Sequence, residues 1–169
     1  EQQQKNIALR SIATSANILE TLQKLRLIIE SRVPDSIVSI LLLSDDTRHL
    51  TPLLVDGLSE HYSKTVARLE VSSEVGSCCK AAVTGKPVIA DNIFTHPSWT
   101  DLTDLAKQEN IAACWSFPIT SSAKKMLGTF AIYHRYPACM TPSDQIWIED
   151  IVSIASIAIE KWETEKYLQ

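Results

Sequence analysis

Apolar residues near both ends of the chain recur at the spacing of a helix. At the amino-terminal end they follow one another at steps of four, three and four residues, and they comprise Ile18, Leu22, Leu25 and Ile29. This spacing places them on one face of a helix. We expect that helix over residues 1–32, because the residue that precedes Pro34 disfavours helical geometry.

The carboxy-terminal end carries a second stripe of this kind. Thr141 and Pro142 are suited to the N-cap and the first helical position, so we predict a helix over residues 141–168. Its apolar face consists of Ile148, Ile151, Ala155, Ala158 and Trp162.

Short runs rich in β-branched and apolar residues lie between the two helices and predict strands. The expected strands cover residues 36–44, 49–55, 67–71, 88–90, 112–119 and 126–134, and short helices are expected over residues 59–64, 78–83 and 98–108. The turn at residues 45–47 makes a hairpin of the first two strands. Ser77 is expected to cap the helix that begins at Cys78, and Gly85 to end it in the left-handed conformation.

Both terminal helices are longer than one small sheet can cover. We therefore predict a homodimer that forms through these helices as a parallel bundle, with part of each helix covering its own sheet. On this hypothesis, Leu22→Lys or Ala158→Glu weakens the dimer. The alternative is that both helices simply pack on the open face of their own sheet.

The composition is that of an ordinary folded domain, and it disfavours several classes of protein. The chain has 169 residues, 45% of them apolar, which fits one domain over residues 1–169 with a real core. Its net charge of −4 disfavours non-specific binding to nucleic acid. No apolar run is long enough to span a membrane. Because the first residue is Glu1, we expect a fragment of a longer protein.

The cysteines point to a reducing, cytoplasmic compartment. Cys78, Cys79, Cys114 and Cys139 form no Cys-x-x-Cys pair, and no histidine lies at zinc-finger spacing, so no metal site is predicted. The chain is neither short nor cysteine-dense, as secreted disulfide-stabilised domains are. We expect Cys78 and Cys79 to be free thiols that pack as small apolar groups. A redox role for this adjacent pair stays open.

Several short motifs in the second half of the chain indicate a function. In chain order they are Gly76-Ser77-Cys78-Cys79, Asp91, Trp99, Cys114-Trp115-Ser116-Phe117-Pro118 and Leu127-Gly128-Thr129-Phe130-Ala131. This order resembles the GAF family of small-molecule sensor domains. The similarity is greatest to those that precede bacterial diguanylate cyclases, cyclic-di-GMP phosphodiesterases and histidine kinases. The resemblance covers about residues 15–163.

The resemblance implies an α+β fold. GAF domains are similar to PAS domains, with a central antiparallel sheet of five to six strands. The long terminal helices lie on one face of the sheet, and a ligand pocket lies on the other. In this chain the sheet and pocket would occupy residues 36–134.

The resemblance also implies which residues line the pocket. The candidates are Cys78, Asp91, Trp99, Cys114, Trp115, Ser116, Ala131 and Tyr133. Side chains of a strand alternate between its faces. Cys114 and Ser116 therefore share one face, which the family pattern turns toward the pocket, while Trp115 and Phe117 share the other.

Some of these candidates also have a purely structural role open to them. Trp99 and Trp115 can pack in the core or in a lid, and Asp91 can cap the turn that follows it. Cys79 stands where the family usually has glycine, and its side chain would narrow that end of the pocket. The helix that begins near Cys78 would offer free backbone N–H groups to an anionic ligand.

The implied function is that of a non-catalytic regulatory sensor. An unidentified small molecule would bind in the pocket and shift the geometry of the terminal helices, which requires different affinities for two helix arrangements. The helices would pass the change to an attached carboxy-terminal effector, either a diguanylate cyclase, a phosphodiesterase or a histidine kinase. The main alternative is a ligand-free GAF module that serves only for dimerisation.

Three other branches of the family fit the residues less well. Reduction of free methionine sulfoxide uses pocket carboxylates, whereas the corresponding strands offer Cys114, Ala131 and Tyr133. Bilin attachment uses a cysteine that is commonly followed by histidine, and none of the four cysteines is. A haem-binding gas sensor needs an axial ligand, and the available histidines, expected at the surface, are His49, His61, His96 and His134. The sequence therefore requires no cofactor.

Overall fold

The computed structural model describes residues 17–167 as one open sheet with helices on both faces. The helices are α1 (Ile18–Arg32), α2 (Glu60–Arg68), α3 (Gly76–Thr84), α4 (Thr103–Glu109) and α5 (Pro142–Tyr167), and 3₁₀ turns cover Val71–Ser73 and Pro97–Leu102. The strands are β1 (Ile37–Leu43), β2 (Leu50–Val55), β3 (Val88–Ala90), β4 (Ala113–Thr120) and β5 (Met126–His134). The first part of the predicted amino-terminal helix lies outside the described residues.

The five strands follow the order β2-β1-β5-β4-β3, and all neighbouring pairs are antiparallel. β5 lies at the centre and is almost entirely buried, so its long apolar run is covered on both faces. Across this centre, Ala131 pairs with Ser39 of β1 on one side and with Ser116 of β4 on the other. The predicted α+β fold with a central antiparallel sheet is confirmed.

The terminal helices α1 and α5 cover one face of the sheet and pack on each other. Their fully buried residues are Leu22, Leu25 and Ile29 of α1 and Ile148, Ile151, Ala155 and Ile159 of α5. Arg32 joins the end of α1 to the start of α5, since its guanidinium lies 3.2 Å from a carboxylate oxygen of Asp144 and 4.7 Å from the centre of the Trp147 ring. Apart from Trp162, which is only half-buried, the two apolar stripes are therefore part of the core of this domain.

This packing corrects the mutations proposed for the dimer. Leu22 is fully buried and Ala158 is nearly so. A charged side chain at either position would be placed in the core, where it destabilises the domain itself. Leu22→Lys and Ala158→Glu therefore report on folding rather than on dimerisation.

Shorter elements cover the opposite face of the sheet. α2, α3, α4 and the turn at Pro97–Leu102 pack there, and their core includes Tyr62, Trp99 and Leu105 together with Cys114 and Tyr133 of the sheet. The face that the resemblance assigned to the pocket is thus the face without the terminal helices. None of the described helices is long and apolar enough to cross a membrane.

The strand expected over residues 67–71 is wrong. Helix α2 continues to Arg68, and a 3₁₀ turn covers Val71–Ser73. Ser59 caps α2 by accepting a hydrogen bond from the backbone N–H of Tyr62 at 3.1 Å. Of the apolar residues in this run, Ala67 belongs to α2, Leu69 is the C-cap of α2, and Val71 begins the 3₁₀ turn.

The predicted caps are only partly correct. Gly85 ends α3 in the left-handed conformation with φ of 69°, and Thr141 accepts a hydrogen bond from the Asp144 N–H at 3.0 Å at the start of α5. Ser77 does not cap α3, because the helix begins at Gly76 and Val75 is its N-cap. The Ser77 hydroxyl instead accepts a hydrogen bond from the Trp99 indole.

Candidate functional site

Two thiols and a serine hydroxyl meet between α3 and the centre of the sheet. The Cys78 sulfur lies 3.3 Å from the Ser116 hydroxyl oxygen and 3.9 Å from that of Tyr133. The Cys114 sulfur lies 3.5 Å from the same Ser116 oxygen. Alternation along β4 turns Cys114 and Ser116 to one face, and the first turn of α3 places Cys78 above them.

Tyr62 extends this cluster to α2. Its hydroxyl donates a hydrogen bond to that of Tyr133 at 3.1 Å, and the two rings meet edge to face with their centres 5.9 Å apart. Sequence reasoning did not identify Tyr62. The available signal was its spacing of four residues from Val66, which marks the buried side of a short helix.

Trp99 closes the cluster at the amino-terminal end of α3. Its indole N–H donates to the Ser77 hydroxyl at 2.7 Å, and both side chains are buried. A Cβ on Gly76 would lie 3.1 Å from the nearest methyl group of Leu102, and Gly76 has φ of 80°. Glycine is required here because few other residues adopt this backbone geometry. The helix end is thus covered by apolar side chains, which disfavours the binding of an anionic ligand to its backbone N–H groups.

Ser39 supplies a further buried hydroxyl to this face. It lies on β1, is 1% exposed, and its oxygen has no hydrogen-bond partner. A buried polar group without a partner costs about 1–3 kcal/mol. Ser39 also lines a small cavity that Tyr62 and Tyr133 border. The Ser39 hydroxyl is therefore available for a hydrogen bond to a molecule bound in the site.

The two thiols of the cluster titrate differently. Hydrogen bonds, the largest of them with Cys114, together outweigh the opposing effect of burial and lower the pKa of the Cys78 thiol to about 7. Burial, together with the hydrogen bond to Cys78, raises the pKa of the Cys114 thiol well above its usual value. As the pH rises, the first proton therefore leaves from Cys78, and Cys114 keeps its proton to a higher pH.

Both tyrosines of the cluster stay protonated. Burial is the main reason that the pKa values of Tyr62 and Tyr133 are raised well above the ordinary tyrosine value. Their hydroxyls can each donate and accept one or more hydrogen bonds. The two tyrosines thus give the site uncharged hydrogen-bond donors and uncharged hydrogen-bond acceptors.

Side chains fill most of the space in the site. A cavity of about 10 Å³ lies against Tyr62, Cys78, Cys79 and Trp99, and a second of about 10 Å³ lies on the other side of Tyr62. Each has room for about one water molecule. Cys79 lines the first cavity, as expected from its place in the motif.

The structure brings six of the eight candidate residues onto one face of the sheet. Cys78, Trp99, Cys114, Ser116, Ala131 and Tyr133 are buried there. Trp115 lies on the opposite face, where its indole N–H donates to the Ala138 carbonyl at 3.1 Å. Asp91 is exposed at the end of β3. The following turn is capped by Asn92, whose side chain accepts from the Phe94 N–H.

The expectation of surface histidines is wrong for His134. Its side chain is 3% exposed and packs against Trp115, with the two ring centres 4.2 Å apart. It therefore lies on the face of the sheet that α1 and α5 cover, away from Cys78. Among residues 17–167, no group of three or more histidine, cysteine, aspartate or glutamate side chains could hold a metal ion.

A family model described as the GAF domain matches residues 15–160. The chain belongs to the GAF domain family. The family resemblance carried by the motifs is thereby confirmed, over nearly the same span as expected.

This GAF domain is similar to one curated sensor. It is 31% identical over 156 residues to the methyl sulfide methyltransferase-associated sensor of Methanosarcina acetivorans. The match covers 92% of the chain but 16% of that sensor, so the chain corresponds to a small part of the relative.

Solved structures share its fold. A domain of a putative two-component sensor histidine kinase from Sinorhizobium meliloti 1021 is 20% identical, with a TM-score of 0.70 over 90% of this chain and 97% of that one. The free methionine-R-sulfoxide reductase from Neisseria meningitidis, solved in complex with its substrate, is 12% identical, with a TM-score of 0.72 over 94% and 87%. At these identities the likeness concerns the fold alone.

Proposed function

We propose that this GAF domain is a regulatory sensor module whose site between α3 and the sheet takes a small, uncharged, hydrogen-bonding molecule. The observation that supports this is the cluster of Cys78, Cys114, Ser116, Tyr62 and Tyr133 within a mostly apolar face. A few polar groups in an apolar lining are typical of small-molecule sites. No aspartate, glutamate, lysine, arginine or histidine lines either of the two cavities.

Binding requires α2 or α3 to move. The existing cavities hold about one water each, so a metabolite must separate Tyr62 from Tyr133 or Cys78 from Ser116. β4 and β5 carry these contacts on one face and pack against α1 and α5 through Phe117, Phe130 and Ile132 on the other. A change in the site is thereby passed to the terminal helices, provided that the ligand binds two arrangements with different affinity.

On our hypothesis, the terminal helices connect this domain to the rest of a signalling protein. The similarity to a sensor of which the chain covers 16% supports an attached effector. A diguanylate cyclase, a phosphodiesterase and a histidine kinase all remain candidates for that effector. A cytoplasmic location remains part of the same prediction.

The domain is proposed to be regulatory rather than catalytic, although some proteins of this fold are reductases. Catalysis of the reductase kind would use carboxylates in the pocket. Asp91 was the carboxylate candidate, and its exposed position outside the cluster supports the non-catalytic proposal.

A ligand-free dimerisation module is the second candidate function. The observation that favours it is the small size of the cavities, about 10 Å³ each. In that case the cluster of hydroxyls and thiols is a core feature, and no small molecule changes the stability of the domain.

Thermal denaturation with matched small molecules distinguishes the two functions. The probes are uncharged alcohols, amides and ketones, each paired with a carboxylate or amine of similar size. A ligand at 100 times its Kd stabilises the folded state by about 2.7 kcal/mol, which raises the Tm of a domain of this size by several degrees. We expect uncharged probes to raise the Tm and their charged partners to leave it unchanged.

Two tyrosine variants locate the binding site. Tyr133→Phe removes one buried hydroxyl of the cluster and should abolish the thermal shift. Tyr136→Phe is the matched control, because Tyr136 is 55% exposed and lies beyond the end of β5. A Tyr133→Phe variant that responds like the wild type places the ligand elsewhere. A panel without any response favours the ligand-free module.

A further inference from the structure

Two cysteines from distant parts of the chain converge on one side chain. Cys78 lies in the first turn of α3 and Cys114 lies on β4, yet their sulfurs are 3.3 and 3.5 Å from the same Ser116 oxygen. Both are free thiols in this structure. The adjacent pair that the sequence suggested, Cys78 with Cys79, is not the pair that shares a hydroxyl.

We propose that Cys78 and Cys114 are a redox-modification site, at which a small peroxide converts the two thiols into an intramolecular disulfide. The proposal does not depend on the ligand proposed above, because it requires only the two thiols and the oxidant. The disulfide would join α3 covalently to β4, directly over the centre of the site. Oxidation would then hold α3 against the sheet.

The reaction proceeds in two balanced steps. The Cys78 thiolate attacks one oxygen of hydrogen peroxide and breaks the O–O bond, which gives a sulfenic acid at Cys78 and, with one proton, water. The Cys114 sulfur then attacks the Cys78 sulfur, so that the S–S bond forms and a second water leaves. Overall, two thiols lose two hydrogens to the peroxide, which is reduced to two waters. A dithiol reverses the change by thiol–disulfide exchange.

Three features make Cys78 the cysteine that reacts first. It is the third residue of α3, where the partial positive charge of the helix end favours a thiolate. It keeps 6% exposure and lines a cavity, whereas Cys114 is fully buried. Its hydrogen bonds hold its pKa to about 7, while burial raises the pKa of Cys79 to about 12.

Peptide mapping of the oxidised protein tests the proposal. The protein is treated with hydrogen peroxide, its remaining thiols are alkylated under denaturing conditions, and trypsin is added without reductant. Cys78 falls in the peptide of residues 69–80 and Cys114 in that of residues 108–124. We expect the intact protein to lose about 2 Da, the mass of two hydrogens, and these two peptides to appear linked until a dithiol is added.

Matched variants identify the pair. Cys79→Ser shares the peptide with Cys78 and should keep the link, as should Cys139→Ser at an exposed position. Cys78→Ser and Cys114→Ser should each abolish it, and the wild-type Tm of each reduced variant verifies its fold. A disulfide confined to residues 69–80, a chain-to-chain disulfide through Cys139, or thiols oxidised only to sulfinic acid would each overturn the proposal. If Cys114→Ser fails to fold, the peptides of the wild type and of Cys79→Ser decide the question by themselves.

Discussion

His134 shows how one buried side chain makes the stability of the whole domain depend on pH. Burial lowers its pKa from 6.5 to about 4, and the negative charge of Asp144 opposes this only in part. The Nε2 atom of its ring has no partner. Protonation therefore places a charge in the core, beside Trp115, which the folded state resists.

We expect the folded domain to lose stability as the pH falls from about 6.5 to about 4. In this window the unfolded chain binds a proton at His134 and the folded chain does not, so acid favours unfolding. His134→Phe keeps a ring against Trp115 and cannot be protonated. Urea unfolding at a series of pH values should show a smaller acid loss for this variant than for the wild type.

His61→Phe is the control for this experiment, because His61 is exposed on α2. It should retain the pH dependence of the wild type. An equal acid loss in His134→Phe and in the wild type would assign the effect to other groups.

At the scale of the elements, the approach of β1 to β5 depends on Gly128. It pairs with Leu42 of β1 and with Ile119 of β4. A Cβ added to Gly128 would overlap the Leu41 carbonyl oxygen. That atom belongs to the backbone of a central strand, which cannot shift without breaking the pairing of the sheet.

Gly128→Ala should therefore destabilise the domain by about 3 kcal/mol or more, the upper range for overpacking. Urea denaturation measures this loss. Gly85→Asn is the matched control: Gly85 has φ of 69° with open space around it, and asparagine tolerates the left-handed conformation. We expect the control to lose less than about 1 kcal/mol. An equal loss in both variants would contradict the steric account of Gly128.

At the scale of the whole molecule, the homodimer stays a prediction, but its contact surface has changed. The apolar stripes of α1 and α5 are used by the domain itself. Four of the seven large apolar side chains that are exposed among the described residues nevertheless lie on these helices: Leu19, Leu27, Ile146 and Ile157. This concentration supports a second copy of the chain as the partner of the terminal helices.

Leu27→Glu and Ile157→Glu should each convert a dimer into monomers without lowering the Tm, because these side chains are 56% and 52% exposed. Sedimentation equilibrium measures the mass in solution. Val83→Glu is the control, since Val83 is 49% exposed on α3, on the other face of the sheet. A wild-type protein that stays monomeric at the highest concentration tested would rule out the dimer.

Local periodicity was enough to place most of the elements and to assign several side chains to a face of the sheet. The alternation in β4 put Cys114 and Ser116 together, and the structure buries both on the face opposite the terminal helices. The caps at Gly85 and Thr141 were also readable, because each depends on neighbours within a few residues. The strand predicted over residues 67–71 was wrong because that prediction also relied on local pattern alone. A short apolar run fits one side of a helix as well as a strand.

The sequence by itself thus determined the family, the antiparallel sheet and the face that carries the candidate site, since periodicity and motif order are properties of the chain. Only the tertiary structure decided that Tyr62 and Ser39 join that site, that Cys78 and Cys114 share the Ser116 hydroxyl, and that side chains fill the space around them. It also decided that His134 is buried. These features depend on contacts between residues far apart in the chain, which packing fixes and local pattern does not.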